Sequence, residues 1–149
     1  MTTKTKITKE NIENLSEEQI DELVYNKASD KYFETFGEIF ENTEKDKILC
    51  QIFACSVLNN EVCNGGFDQF FMNNEDLTDF ALDGLLKIGA VEHYNLLNNA
   101  KTIYLAQKTE FVDKRNPNLD EFDEKYYQLN EITINRQKFI IENIEMFCD

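Results

Sequence analysis

The side chains in this chain with the most capacity for chemistry are carboxylates, and their spacing is helical. Asp30, Glu34, Glu38 and Glu41 recur at intervals of four, four and three residues. On an α-helix that spacing makes one stripe of like charge, with neighbours about 6 Å apart along the axis. Each such pair costs an isolated helix about 0.2–0.5 kcal/mol. Glu75, Asp79 and Asp83 form a second stripe, extended by Asp76, and from Glu61 to Glu92 the only basic residue is Lys87. A third group is Asp120, Glu121, Asp123 and Glu124, followed by Glu131. Rigid carboxylate arrays of this kind suit the Lys and Arg side chains of a basic partner protein. The same positions also suit a plain solvated face. Glu75, Asp76, Asp120 and Glu121 fit first helical turns as well, where the helix dipole favours negative charge.

Other chemistries find little support. His93 is the only histidine and lies beside Glu92 near a helix start. No Ser or Cys nucleophile stands at a familiar spacing from it, so enzymatic activity is not expected. Cys63 near a helix start would have a lowered pKa, and a pocket behind Asn64–Asn73 where Cys63 and His93 converge is the enzymatic or ligand-binding alternative. The chain has no C-x-x-C, H-E-x-x-H or calcium-loop pattern, so no metal site is expected. The Gly65-Gly66 pair follows a helix, which makes it a poor phosphate cradle. No cofactor is expected.

Composition bounds the rest. The chain has 149 residues, with 29 acidic and 15 basic side chains and a formal net charge of −14. That length fits one domain able to bury a core without disulfides. The charge argues against direct contact with nucleic acid or an anionic membrane. No apolar run reaches the length of a membrane span, and residues 1–10 lack the apolar core of a secretory signal. The expected compartment is the cytoplasm, where Cys50, Cys55, Cys63 and Cys148 would be reduced and structural.

The elements that must hold the carboxylates are all helical, about seven in one compact bundle. Residues 1–10 are expected as a flexible basic tail with Ile7 as its one anchor, and residues 11–149 as the single domain. Ser16 and Gln19 make a capping box, and Ile20, Leu23 and Val24 continue as an apolar face. A break is expected at Ala28–Asp30, then a second helix with Tyr32, Phe33, Phe36, Ile39 and Phe40 inward. The stretch from about Lys45 to Glu61 carries a broad apolar stripe and reads as the central helix. Asn64-Gly65-Gly66 is the strongest turn signal, and Phe67, Phe70 and Phe71 follow in a short helix ended by Asn73-Asn74. Glu75 or Asp76 opens the next helix, which Gly89 closes as a C-cap. Further helices are expected over Val91–Lys108, after Asp120, and over about Ile132–Phe147.

One segment carries a family likeness. Glu61-Val62-Cys63-Asn64-Gly65-Gly66-Phe67-Asp68-Gln69-Phe70-Phe71-Met72-Asn73, followed by Ile88-Gly89-Ala90, resembles the bacterial DNA mimic protein nineteen-like family of small helical domains. The resemblance implies an all-helical fold. In the naming member it implies a dimer whose carboxylates imitate DNA phosphates and occupy a helix-turn-helix regulator. The motif residues themselves are mostly apolar, amide or glycine and read as determinants of the fold. Gly65 and Gly66 admit positive φ, while Asn64, Gln69 and Asn73 can satisfy helix ends.

A magnitude bears on mimicry. A compact chain of this length spans roughly 38 Å, over which duplex DNA carries on the order of 22 phosphate charges. One protomer at −14 falls short, so mimicry would be easier for a homodimer. The expected function is an acidic protein-binding module that occupies a basic DNA-binding protein such as a transcriptional regulator. An immunity- or antitoxin-like inhibitor of a basic nuclease is the alternative with nearly the same chemistry.

Overall fold

The computed structural model describes residues 5–35 and 40–149, and among these every regular element is a helix. A single turn, α1 (Lys9–Ile12), precedes six longer helices: α2 (Glu17–Glu34), α3 (Glu44–Asn74), α4 (Thr78–Lys87), α5 (Val91–Gln107), α6 (Asp120–Gln128) and α7 (Thr133–Glu142). The bundle is organised around α3, which packs against α2, α4, α5 and α6, while α7 closes on α2.

Local signals explain most of the boundaries. Ser16 and Gln19 form the reciprocal capping box at the start of α2, which satisfies two otherwise orphaned N–H groups. Gly89, at φ 78°, ends α4 as expected. The Ala90 N–H donates to the Leu85 carbonyl and the Gly89 N–H to the Leu86 carbonyl, the two bonds of a Schellman motif.

The helix count is six long elements rather than about seven, because two expected breaks are absent. No interruption occurs at Ala28–Asp30. Ala28 is fully buried, and packing of that face overrides the weak helix preference of Ser29 and Asp30. The expected central helix and Phe67 helix are also one element, α3, bent at Gly66. Other boundaries move by a turn. Glu75–Leu77 is a 3-10 turn and α4 begins at Thr78. The last helix stops at Glu142, where the Asn143 side-chain amide donates to the Phe139 carbonyl and competes with the helical ladder.

The core is continuous through all layers. Phe67, Phe70 and Phe71 are among its largest fully buried side chains. Gly84 lets α4 approach α3 closely: a Cβ there would come within 2.4 Å of the Gln51 carbonyl oxygen. A bidentate ion pair ties α7 to α2, with Arg136 donating to Asp21 at 2.8 and 2.7 Å. Near the N-terminus, Ile7 is fully buried. Its N–H donates to the Asp149 carboxylate, and the Asp149 N–H donates back to the Ile7 carbonyl.

Candidate functional site

The family motif sits at the bend in α3 and is held there by α6. Gly66 has φ 84° and ψ 178°, a region essentially reserved for glycine. Gly65 keeps a negative φ among the described residues, so only one glycine of the pair needs its conformational freedom. The Phe67 N–H, freed by the bend, donates to Asp123 Oδ1 at 2.8 Å. One turn earlier, the Val62 carbonyl accepts from the Tyr127 hydroxyl at 2.7 Å. The Tyr126 hydroxyl donates to Asn59 at 2.7 Å. Asp123, Tyr126 and Tyr127 lie on one face of α6 at helical spacing, so α6 clamps the bend at three points. The motif amides act differently from expectation. Gln69 and Asn73 both donate to the Glu61 carboxylate, at 2.9 and 3.0 Å, and brace the two halves of α3. Asn64 is exposed.

This geometry corrects the assignment of Asp123. It is 5% exposed and serves as the cap of the second half of α3. Burial raises its pKa, opposed by the Phe67 N–H and by Arg115.

The first expected stripe also changes. Asp30 and Glu34 lie exposed on α2, but α2 ends at Glu34 and Glu41 lies outside any helix. Glu38 lies outside the described residues, as do Phe36 and Ile39. The Thr35 hydroxyl donates to the Lys31 and Tyr32 carbonyls at this helix end, which draws the last carbonyls away from continued helix. Asp30 accepts from the Thr5 N–H and hydroxyl.

Several of the remaining carboxylates hold a cation of their own. Glu75 pairs with Lys108 at 3.1 Å, Asp79 with Lys101 at 2.7 Å, Asp120 with Arg115 at 2.5 Å and Glu121 with Lys125 at 3.0 Å. Exposed pairs of this kind contribute about 0–1 kcal/mol each. Asp76, Asp83, Glu41 and Glu124 are exposed, with no lysine or arginine partner among the described residues.

The fold brings the second group together with Asp68: Glu75 and Asp76 line one cavity with Asp79, and Glu75 lines another with Asp68. Burial raises the Cys50 thiol to about 12, and Glu41 and Asp76 both add to that rise. Glu41, beyond the end of α2, and Asp76, ahead of α4, thus both act electrostatically on this thiol. Asp76 adjoins Glu75, which accepts from the Tyr104 hydroxyl at 2.8 Å. That bond, and then Lys108, hold Glu75 below the usual carboxylate range against the opposing effect of burial. Burial and Glu75 push Tyr104 up to about 12, and Asp68 adds to this. Behind Asp120, Asp68 also raises Arg115. Asp68 lines a cavity with Glu75 and follows Phe67, whose N–H is held by Asp123 beside the Arg115–Asp120 pair. Spacing does not single out Asp68, because it sits inside the phenylalanine motif on α3 while Glu75 lies in the 3-10 turn that follows.

No hydrogen bond joins His93 and Cys63 among the described residues. His93 is 8% exposed and meets the edge of Tyr126 at 5.3 Å between ring centres. Cys63 is exposed beside Asn59, and burial raises its pKa rather than lowering it. Phe67, Phe70 and Phe71 are buried in the core behind Asn64–Asn73. Among the described residues no group of His, Cys, Asp and Glu is arranged to hold a metal ion, and no helix is long and apolar enough to cross a membrane.

Burial holds His93 below its ordinary pKa of 6.5, against the Asn130 backbone hydrogen bond and Glu92. A lowered folded-state value means that the unfolded chain binds the proton more tightly. The contribution of His93 to stability is therefore complete above 6.5 and declines as pH falls from 6.5 through the folded value. Urea unfolding at stepped pH should show this decline in the wild type. A His93→Gln variant should lose that part of the pH dependence. An unchanged slope in the variant would remove His93 as its source.

Comparison with known proteins gives one family match. A family model described as DMP19-like protein matches residues 46–143, a stretch that runs from the start of α3 to the end of α7. No curated protein and no solved structure matches the chain.

Proposed function

This chain belongs to the DMP19-like protein family, and on that footing we propose that it is an acidic binding module that occupies the DNA-binding surface of a basic protein. What supports this reading is the belt of Asp76, Glu75, Asp68 and Asp120: Glu75 lines one cavity with Asp76 and a second with Asp68, and Asp68 follows Phe67, whose N–H is held by Asp123 beside the Arg115–Asp120 pair. The helical scaffold fixes their spacing before binding, so little entropy is lost in ordering them. Arginine and lysine side chains that otherwise meet phosphate would meet these carboxylates. The internal pairs with Lys101, Lys108 and Arg115 reduce the charge available to one protomer, so two copies presenting the belt together fit the charge of duplex DNA better than one.

The test is affinity capture from the native host lysate, followed by competition. A basic DNA-binding protein should be retained at about 0.01 M salt, where charges act over about 30 Å, and released at about 1 M, where they act over about 3 Å. Its duplex target should then displace it from the immobilised chain. A retained partner that binds duplex and this chain simultaneously would refute occupation of the DNA site. Retention of a basic nuclease, displaced by its substrate, would make the same belt that of an inhibitor.

A further inference from the structure

The belt already holds a cation against an aromatic face. Tyr104 stacks on the buried Phe71 with ring centres 4.4 Å apart and planes 8° from parallel. The Lys108 ammonium lies 5.8 Å from the Tyr104 ring centre and 3.1 Å from Glu75 Oε1. Glu75 Oε2 accepts from the Tyr104 hydroxyl. A ring face backed by a second ring, with a carboxylate at its edge, is the environment that attracts a cation. Beside it opens a cavity of about 590 Å³ lined by Phe71, Glu75, Asp79, Lys101, Tyr104 and Leu105. A second, of about 370 Å³, shares Phe71, Glu75 and Tyr104 and extends past Met72 and Val112. The two form one groove, and Leu105, Met72 and Val112 expose apolar surface along it.

We propose that Tyr104 and Glu75 form a receptor site for an arginine side chain of the basic partner, and that Lys108 is its resident competitor. The proposal rests on the reading of this chain as a binder of basic proteins and names the place where recognition is most specific. An arginine fits better than the lysine that now fills the site. Its planar guanidinium stacks on an aromatic face and engages a carboxylate through two donors. The apolar side chains along the groove suit the methylene stem of an arginine and its neighbours. Lys108 is half-exposed and can swing away without disturbing the core. The internal contact then acts as a brake: weak cations do not displace Lys108, and a guanidinium presented in the groove does.

Calorimetric titration with an oligo-arginine peptide tests this. Lys108→Ala should bind about tenfold more tightly than wild type, an increment of the size of one cation–π contact with its carboxylate. Lys87→Ala makes the same change in net charge outside the groove and should gain less than about threefold by general electrostatics. Adding Glu75→Gln or Tyr104→Leu to Lys108→Ala should remove the gain, with folding checked by circular dichroism. If Lys108→Ala and Lys87→Ala gain equally, the site is refuted while the acidic-belt reading stands. If no variant and not the wild type binds the peptide in a salt-sensitive way, the belt reading itself fails.

Discussion

A Gly66→Ala variant should lose about 2–6 kcal/mol of stability, a large share of the roughly 5–15 kcal/mol that holds a domain together. Two costs combine. The backbone at φ 84° and ψ 178° is strained for any residue with a Cβ, by about 1–3 kcal/mol. The new methyl would also stand 2.3 Å from Asp123 Oδ2, which forces the carboxylate off the Phe67 N–H. Leaving that buried donor unsatisfied costs about 1–3 kcal/mol more. For a chain of this size the melting temperature should fall by roughly 10 °C. The other motif glycine should be more tolerant. A Cβ at Gly65 meets the end of the Gln69 side chain, which can rotate away. Gly89 has φ 78° but open space around it, so only the backbone cost of about 1–2 kcal/mol applies. The Gly66→Ala/Asp123→Ala double variant should be less destabilised than the sum of its parts, because the colliding carboxylate is gone. A Gly66→Ala protein as stable as wild type would mean that the bend and its cap are not as described.

How far the sequence was legible depended on the reach of each interaction. The Ser16–Gln19 box and the Gly89 cap are settled within one or two turns, and both stood in the sequence. The helical class followed from periodicity alone. Asp123 was misread because its first-turn position and acidic neighbours look like surface. Its role depends on Phe67, 56 residues away, and no local pattern reveals that contact. The pairings that neutralise part of the acidic surface are also non-local. Lys101 reaches Asp79 across 22 residues and Lys108 reaches Glu75 across 33. Spacing along one helix therefore overstated the free charge of the second stripe. The break expected at Ala28–Asp30 failed for a related reason. Ser29 and Asp30 are only mildly unfavourable inside a helix, and the buried Ala28 face decides the outcome.

The largest effect on function should come from reversing exposed carboxylates of the belt and of the groups flanking it that have no lysine or arginine partner among the described residues. Glu41→Lys, Asp76→Lys and Asp83→Lys replace exposed side chains, so the fold should hold within about 0.5 kcal/mol per site. Each removes an attraction to the partner and adds a repulsion, and mismatched charge across an interface costs several kcal/mol. A matched control reverses Glu13, Glu22 and Glu142, which are exposed and off the belt. Its change in net charge is the same, which separates position from overall charge. The deciding measurement is the dissociation constant of the captured basic partner for the wild type, the belt triple and the control triple, at low and moderate salt. The belt triple should bind at least about 100-fold more weakly, with its salt dependence flattened, while the control stays within about threefold of wild type. Equal losses in the two triples, or none in either, would contradict a role for the belt in binding.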